Sequence, residues 1–315
     1  MNNHRIPSTL LALMLASLGS LAHAQTYPTQ QPLQVVVPFA AGGAADGMAR
    51  SFAKGLAARI GQQAVVINKD GAGGTIGFWQ VARSTANGYT LAYGPSTPVT
   101  AGAILSNGPR YDQLTPVCQT HENIMTVVVR DESPIKSIQQ LMTMARAQPG
   151  KVAYGHSGQG TVPHLSMESF ALGADMTLNA VAYRGDAPMT TDLLGGSLDF
   201  GVSSAAAASN SKLRVLAVFA DQRQPAWPDA PAMREMGTAP LAPGLNGLWA
   251  PKDTPPEALA MLEKACDAVV RSDEFQQTAK GLSQRPAFLE GSAYRKRVAG
   301  DYASLEKIIR TLNLK

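Results

Sequence analysis

Two glycine-containing segments combine the residue types and spacing of an anion-binding turn. They cover residues 38–46 (PFAAGGAAD) and 155–164 (GHSGQGTVPH), and each follows a predicted strand and precedes a predicted helix. The first N–H groups of a helix have no intrahelical partner, and the helix dipole adds about half a positive charge there. Because glycine lets a ligand approach the backbone, such a turn can bind a carboxylate or phosphate without lysine or arginine. Two such turns could hold one ligand from opposite sides, although glycine used only for tight packing is an alternative that the residues alone leave open.

The second turn also contains residues that catalysis or metal binding could use. Gly155, Ser157 and Gln159 occupy the spacing of a hydrolase nucleophile elbow, but glutamine stands where the second glycine is required. His156 and His164 have no carboxylate or cysteine at metal-ligand spacing, so solvated or core histidines are the expectation. We therefore expect neither an enzyme nor a metal site.

Two cofactor-binding sequence patterns each lack a required residue in this chain. Gly71 and Gly73 begin a dinucleotide-binding pattern, but Ile76 stands where the third glycine is needed. No Walker lysine follows either glycine turn, which excludes a P-loop as well. The sequence therefore predicts no bound cofactor.

The amino-terminal residues have the three parts of a secretory signal peptide. Arg5 supplies the positive charge, residues 10–21 form an apolar run of twelve, and residues 22–24 (AHA) match the small-x-small pattern that signal peptidase reads. The apolar run is shorter than the ~20 residues of a membrane-spanning helix, so a retained anchor is the less favoured alternative. We expect residues 1–24 to be removed by cleavage between Ala24 and Gln25, and the mature chain to be periplasmic.

Length, charge and cysteine content restrict the class of protein further. The 315 residues exceed the usual size of one domain, so two are expected. The net charge is only +4 and is spread along the chain, whereas nucleic-acid binding needs clustered Lys and Arg. The chain has two cysteines, Cys118 and Cys266, and the expected periplasmic compartment is oxidising. An even number of cysteines in such a compartment favours a disulfide bond. Two buried thiols that never meet are the alternative.

Apolar periodicity along the chain predicts an α/β fold. Residues 34–39 (QVVVPF) form a β-branched run typical of a buried strand, and apolar residues recur at every fourth position over 48–60, which indicates a helix that Gly61 ends. Strand and helix signals then alternate in two successive sets, which favours largely parallel sheets with helices on both faces. The proline- and glycine-rich residues 227–247 are predicted to form a connector.

Six ordered segments resemble the Bug family, the substrate-binding proteins of tripartite tricarboxylate transporters. They are VVPFAAGGAAD (36–46), NKDGAGGTIG (68–77), NGYTLAYG (87–94), YGHSGQGTVPHL (154–165), YRGDAPMTTDLLGGSLDFG (183–201) and LWAPKDTP (248–255). The resemblance implies the two-lobed α/β fold of type II periplasmic binding proteins, known as the Venus flytrap. It places residues 25–128 and 248–315 in lobe 1 and residues 129–247 in lobe 2, with crossing strands near Val129 and Trp249.

The resemblance also implies a site for a small organic carboxylate, held mostly by backbone N–H groups and ordered water. The implied contacts are Phe39, Gly42, Gly43, Ala44, Pro95 and Ser96 in the first lobe, and Ser157, Gly158, Thr161, Tyr183, Gly185 and Ala187 in the second. We expect a monomer that captures its ligand by closure of the lobes and docks on the membrane permease subunits of a tripartite tricarboxylate-type transporter. A receptor that presents its loaded state to a membrane sensor is the alternative, and a bare interaction protein or a hydrolase ranks below both.

The chain departs from the family pattern at three places. Family members usually carry proline at 40 or 41 and at 70, where this chain has alanine at both former positions and Asp70. The first change is expected to loosen the loop that contacts the ligand. Members also often carry an acidic residue near position 203, where this chain has Ser203. Its absence argues against an amino-acid ligand, because an acidic group there would suit the ligand ammonium.

Overall fold

The computed structural model describes residues 27–28, 31–209, 212–237 and 244–311. The expected signal peptide, residues 1–24, lies outside the described residues, so its cleavage stays a prediction. Among the described residues, no helix has the length and apolar content needed to cross a membrane.

The described strands and helices alternate along much of the chain. The strands are β1 (Leu33–Val37), β2 (Ala64–Asn68), β3 (Thr90–Pro95), β4 (Leu114–Asn123), β5 (Met125–Arg130), β6 (Ala153–His156), β7 (Asn179–Ala182), β8 (Phe200–Ser204), β9 (Leu213–Phe219), β10 (Gly244–Pro251) and β11 (Arg285–Glu290). The α-helices are α1 (Ala44–Ile60), α2 (Thr75–Ala82), α3 (Ala101–Leu105), α4 (Ile138–Ala147), α5 (Val162–Gly173), α6 (Asp186–Gly195), α7 (Ala205–Ser209), α8 (Pro256–Val270), α9 (Asp273–Gly281) and α10 (Gly291–Thr311). Short 3₁₀ turns cover Ala72–Gly74, Thr97–Val99, Tyr111–Gln113 and Met233–Met236.

The first lobe is built on a six-stranded sheet in the order β11-β4-β10-β3-β1-β2. Helix α1 packs on this sheet through Met48, Phe52 and Leu56, which recur at the predicted four-residue spacing and are fully buried. Gly61 adopts a left-handed conformation (φ 69°) and donates its N–H to the carbonyl of Ala57, so it ends the helix as predicted.

The second lobe is built on a five-stranded sheet in the order β7-β6-β8-β5-β9. Its core contains the buried side chains of Val127, Tyr154 and Phe200, and α4 covers it with Ile138 and Leu141. The two-lobed α/β architecture predicted from the sequence is therefore present, and each sheet packs against hydrophobic clusters of its own.

Both sheets are mixed, and the expectation of largely parallel sheets is wrong. Strand β1 is parallel to β2 and β3, and β6 is parallel to β7 and β8, but β10 and β5 run antiparallel to both of their neighbours. The reversed strands lie where the chain passes between the lobes. Local patterns cannot reveal strand direction there, because it depends on which sheet receives the strand.

The chain crosses from one sheet to the other a few residues before the expected positions. Strand β4 pairs only in the first sheet and β5 only in the second, so the chain leaves the first lobe at Ile124 rather than near Val129. The whole of β10 pairs in the first sheet, so residues 244–247 belong to a strand and not to the expected connector. The expected boundaries after residues 128 and 247 thus fall inside paired strands, which act as single units of hydrogen bonding.

Cys118 and Cys266 form a disulfide bond between β4 and α8. Their Cα atoms lie 6.6 Å apart, and both residues are fully buried in the core of the first lobe. This outcome decides between the two alternatives that the sequence left open, because only the fold brings residues 148 positions apart into contact.

Candidate ligand-binding site between the lobes

A pocket with a cavity volume of ≈ 50 Å³ lies in the cleft between the lobes. The first lobe contributes Phe39, Ala40, Gly43, Ala44, Ala45, Pro95, Thr97 and Asn123, and the second contributes Met125, Ser157, Thr161, Val162, Pro163, Gly185, Asp186 and Ser204.

Three helices point their amino termini at this pocket. Helix α1 begins after Gly43, α5 after Thr161 and α6 after Gly185, and each of these three residues lines the pocket. The first N–H groups of each helix have no intrahelical acceptor, and each dipole contributes about half a positive charge. None of the described lining residues is Lys, Arg or His. Backbone N–H groups and neutral polar side chains are therefore the donors by which the described pocket can hold an anion.

Asp46 holds the first glycine turn in place. Its carboxylate accepts hydrogen bonds from the Gly42 N–H (3.1 Å) and the Asn68 amide (3.0 Å), and it pairs with Arg50 (2.9 Å). Burial tends to raise the pKa of Asp46, but the hydrogen bonds from Arg50, Gly42 and Asn68 outweigh it and lower the pKa below its usual value. The Asp46 carboxylate thus has a structural role, because its contacts fix the conformation of the turn.

Two stacked histidines hold the second glycine turn. The rings of His156 and His164 lie 4.4 Å apart. The Nδ1 atom of His156 lies 2.9 Å from the carbonyl oxygen and 3.2 Å from the nitrogen of Gly158, and that of His164 accepts the N–H of Gly160 (3.1 Å). Burial lowers the pKa of His156 to about 3, assisted by the neighbouring His164, and lowers the pKa of His164 to about 4. Both imidazoles are neutral at pH 7 and form hydrogen bonds with the backbone of the turn. In the described residues no group of three or more His, Cys, Asp or Glu could hold a metal ion.

Two polar side-chain atoms of residues that line the pocket lack hydrogen-bond partners in the described chain. They are the hydroxyl of Thr97 and the amide oxygen of Asn123, both buried. A buried polar atom without a partner costs about 1–3 kcal/mol, so each is available to a ligand. The sequence did not indicate either residue, although Thr97 directly follows Ser96, which the resemblance did imply.

Asp186 brings an acidic group to the pocket next to Ser204. Its Oδ2 atom accepts hydrogen bonds from the Ser204 hydroxyl (2.6 Å) and backbone N–H (3.2 Å). Burial raises the pKa of Asp186 above its usual value, and the two bonds from Ser204 oppose that rise. The expectation that the site lacks an acidic group near position 203 is therefore wrong, because the start of α6 supplies one from elsewhere in the chain.

Seven of the twelve residues implied by the resemblance line the pocket. These are Phe39, Gly43, Ala44, Pro95, Ser157, Thr161 and Gly185. Gly42 and Ala187 line an adjoining cleft, which shares Gly43, Ala44 and Asp186 with the pocket. Ser96 lines a second neighbouring cavity and donates its N–H to the carbonyl of Leu245.

Two of the implied residues take other positions. Gly158 packs against the first lobe, where an added Cβ would lie only 2.9 Å from the Cα of Gly73. The hydroxyl of Tyr183 donates to Asp192 at 2.8 Å, within the second lobe. Neither residue is among those that line the pocket.

The lobes touch each other around the pocket. The Ala40 N–H donates to the carbonyl of Arg184 at 3.2 Å, and the Arg184 guanidinium lies 3.9 Å from Asp70. On another part of the rim the hydroxyls of Ser209 and Ser283 lie 2.7 Å apart. Gly185 (φ 141°) faces Ala40 at the first of these contacts, where a side chain would be strained. The lobes are therefore in a closed arrangement.

Comparison with known proteins identifies the family. The family model described as "Tripartite tricarboxylate transporter family receptor" matches residues 48–314. The chain belongs to this family. It is 29% identical to protein BugT of Bordetella pertussis strain Tohama I over 97% of both chains. The solved structure of the periplasmic binding protein BugD has a TM-score of 0.86 and 29% identity, and the comparison covers 91% of this chain and 99% of BugD.

A second solved structure resembles this chain to a similar degree. The R. palustris protein Rpa4515, solved with adipate, has a TM-score of 0.85 and 28% identity, over 91% of this chain and 99% of that protein. The chain is thus a solute-binding receptor with the fold of the periplasmic binding proteins, and its family and neighbours imply a periplasmic location.

Proposed function

We propose that the interlobe pocket captures a small organic carboxylate, whose carboxylate group is held by the amino termini of α1, α5 and α6. The observation that carries the proposal is the convergence of three helix amino termini on a pocket without a described basic side chain. The hydroxyl of Thr97, which lacks a partner, adds a donor that a carboxylate oxygen can accept from. The adipate bound to the related protein Rpa4515 supports the same ligand class.

Capture works by closure of the lobes in this proposal. A ligand favours the closed arrangement in proportion to the extra contacts that it makes there. In the closed arrangement, residues from both lobes face the same small volume, so one ligand contacts both. Exclusion of water then strengthens each hydrogen bond to the ligand.

The proposal includes delivery of the ligand to the membrane permease subunits of a tripartite tricarboxylate-type transporter. The protein would reach its ligand after export and removal of the signal peptide by cleavage between Ala24 and Gln25. The proposal assigns no catalytic step to the pocket. Ser157 lines the pocket, but the Nδ1 atoms of the two nearby histidines, His156 and His164, are engaged by the backbone of the turn.

Isothermal calorimetry with mature protein freed of ligand tests the carboxylate proposal. We expect micromolar or tighter binding for at least one member of a panel of mono-, di- and tricarboxylates and amino acids. Thr97→Val should weaken that binding about tenfold, because it removes the hydroxyl and retains the shape. Thr97→Ser, which keeps a hydroxyl, should bind like the wild type. Folded protein that binds no carboxylate would overturn the proposal.

Delivery to a transporter is tested in cells. Deletion of the chain should abolish uptake of the ligand found by calorimetry, and re-expression should restore it. Intact uptake together with altered gene regulation would instead show that the receptor serves a membrane sensor.

A further inference from the structure

Asp186 is the one charged side chain among the described residues that line the pocket. Its Oδ2 atom is held by both donors of Ser204, whereas no described residue donates a hydrogen bond to Oδ1. No Lys or Arg of the described chain forms an ion pair with it, and the nearby Arg184 pairs with Asp70 instead. A carboxylate in the ligand pocket thus has one free oxygen and no cationic partner.

This arrangement restricts the charge of the ligand. The three helix amino termini provide roughly +0.5 each, about +1.5 in total, against the −2 of an ionised Asp186 and one ligand carboxylate. A second ligand carboxylate would stand in the same enclosed volume as Asp186 without a basic side chain to compensate it. Like charges that share a desolvated site oppose each other strongly.

Burial raises the pKa of Asp186, and the two bonds from Ser204 oppose that rise, as a ligand cation at the free oxygen would too. Donors that point at a carboxylate oxygen stabilise its ionised form. With Oδ2 saturated by Ser204, Oδ1 can accept a hydrogen bond from the ligand. A ligand ammonium group supplies both the donor and the opposite charge, and such charge-assisted bonds are the stronger kind.

We propose that Asp186 selects carboxylates that also carry an ammonium group, and that it disfavours ligands with a second carboxylate. The ligand class is therefore amino-acid-like rather than a di- or tricarboxylate. This inference rests on the proposed function, namely that the pocket holds a ligand carboxylate at the helix amino termini.

Calorimetry with a matched four-carbon series tests the role of Asp186. The probes are butanoate, 2-, 3- and 4-aminobutanoate, and butanedioate, each at pH 7.5 and in constant salt. At least one aminobutanoate should bind the wild type about tenfold more tightly than butanoate, and butanedioate should bind no better than butanoate. The series also measures how far the ammonium lies from the carboxylate.

Two substitutions separate this inference from a general effect of charge. Asp186→Asn keeps an oxygen for Ser204 and should reduce the aminobutanoate preference to less than about threefold, while butanoate affinity stays the same or rises. Asp253→Asn removes a negative charge from an exposed turn outside the pocket and should bind like the wild type. Asp186→Ser is a second variant, and thermal melting establishes that each variant is folded.

The outcomes separate the two proposals. Binding of butanoate or butanedioate without an ammonium preference would overturn the role of Asp186 and leave the carboxylate site standing. A preference for aminobutanoates that survives in folded Asp186→Asn and Asp186→Ser would overturn it too, as would a loss of butanedioate affinity in Asp186→Asn. A folded wild type that binds neither the four-carbon probes nor any carboxylate of the wider panel would overturn both proposals.

Discussion

The backbone N–H of Ala40 donates a 3.2 Å hydrogen bond to the carbonyl of Arg184 across the ligand cleft. The same arginine faces Asp70 of the first lobe at 3.9 Å. Ala40 and Asp70 occupy two of the positions at which the family resemblance led us to expect proline, and proline could not donate at position 40. Alanine at position 40 therefore permits a hydrogen bond between the lobes that proline could not make.

Ala40→Pro should weaken ligand binding about fivefold, because the variant loses one hydrogen bond that exists only when the lobes are closed. Calorimetry measures the affinity, and small-angle scattering of the liganded protein measures closure. Ala40→Gly retains the N–H and should close like the wild type. An unchanged affinity in Ala40→Pro would show that this bond does not contribute to closure.

Gly43→Asp should weaken carboxylate binding by at least about tenfold while the fold stays intact. Gly43 has φ −87° and ψ 175°, and an added Cβ would meet only the carbonyl of Ala40 at 3.9 Å, so a side chain fits. The carboxylate would place a negative charge at the start of α1, where the ligand anion is expected. Gly43→Asn has nearly the same size without the charge and should bind much more tightly than Gly43→Asp. Equal affinities for the two variants would remove this turn from the anion site.

Removal of the Cys118–Cys266 disulfide should lower stability by about 5 kcal/mol, as expected for a closed loop that spans a sequence separation of 148. For a chain of this size the melting temperature should fall by roughly 10–20 °C. The double variant Cys118→Ala/Cys266→Ala and differential scanning calorimetry provide the measurement. Ligand affinity at 20 °C should stay the same, because neither cysteine lines the pocket. A melting temperature within 2–3 °C of the wild type, on the scale of a ~1 kcal/mol change, would contradict the prediction.

Acidification should destabilise the protein between pH 6.5 and about pH 4. Burial lowers the pKa of His121 and His156 to about 3 and of His164 to about 4, so the unfolded chain binds more protons than the folded chain in this window. Each such group changes stability by up to about 1.4 kcal/mol per pH unit. Burial raises the pKa of Asp301 to about 6 and also raises the pKa of Asp186. These two shifts change the stability with the opposite sign, but they involve fewer groups than the three histidines.

Urea unfolding at pH 7.5 and pH 5 measures this dependence. The free energy of unfolding should be lower at pH 5. His164→Asn keeps an acceptor for the N–H of Gly160 without a titrating ring, and should make the pH dependence roughly a third smaller, since it removes one of three histidines. A midpoint that is constant or rises at pH 5 would contradict the assignment of neutral buried imidazoles.

The regular elements with strong periodicity were predictable from the sequence. The apolar periodicity over residues 48–60 lies in helix α1, which ends at Ile60 as predicted, and the β-branched run at 34–39 overlaps β1. The pattern succeeds there because local burial decides both the element and the apolar spacing.

Strand β4 could not be predicted because its centre is polar. Gln119, Thr120 and Glu122 are buried, and Glu122 is compensated by Arg285 and by Arg297 at 2.6 Å. In the sequence alone, a polar run of this kind is typical of a loop. The partners come from the distant carboxyl-terminal part of the chain, so only the folded arrangement identifies the strand.

The sequence by itself determined the fold class, the family resemblance and the two glycine turns, since glycine spacing and apolar periodicity act over a few neighbouring residues. Tertiary structure alone decided that Asp186, Thr97 and Asn123 line the pocket, and that Cys118 reaches Cys266. The physical reason is that each of these arrangements depends on contacts between residues far apart in the chain. No local stretch of sequence contains such contacts.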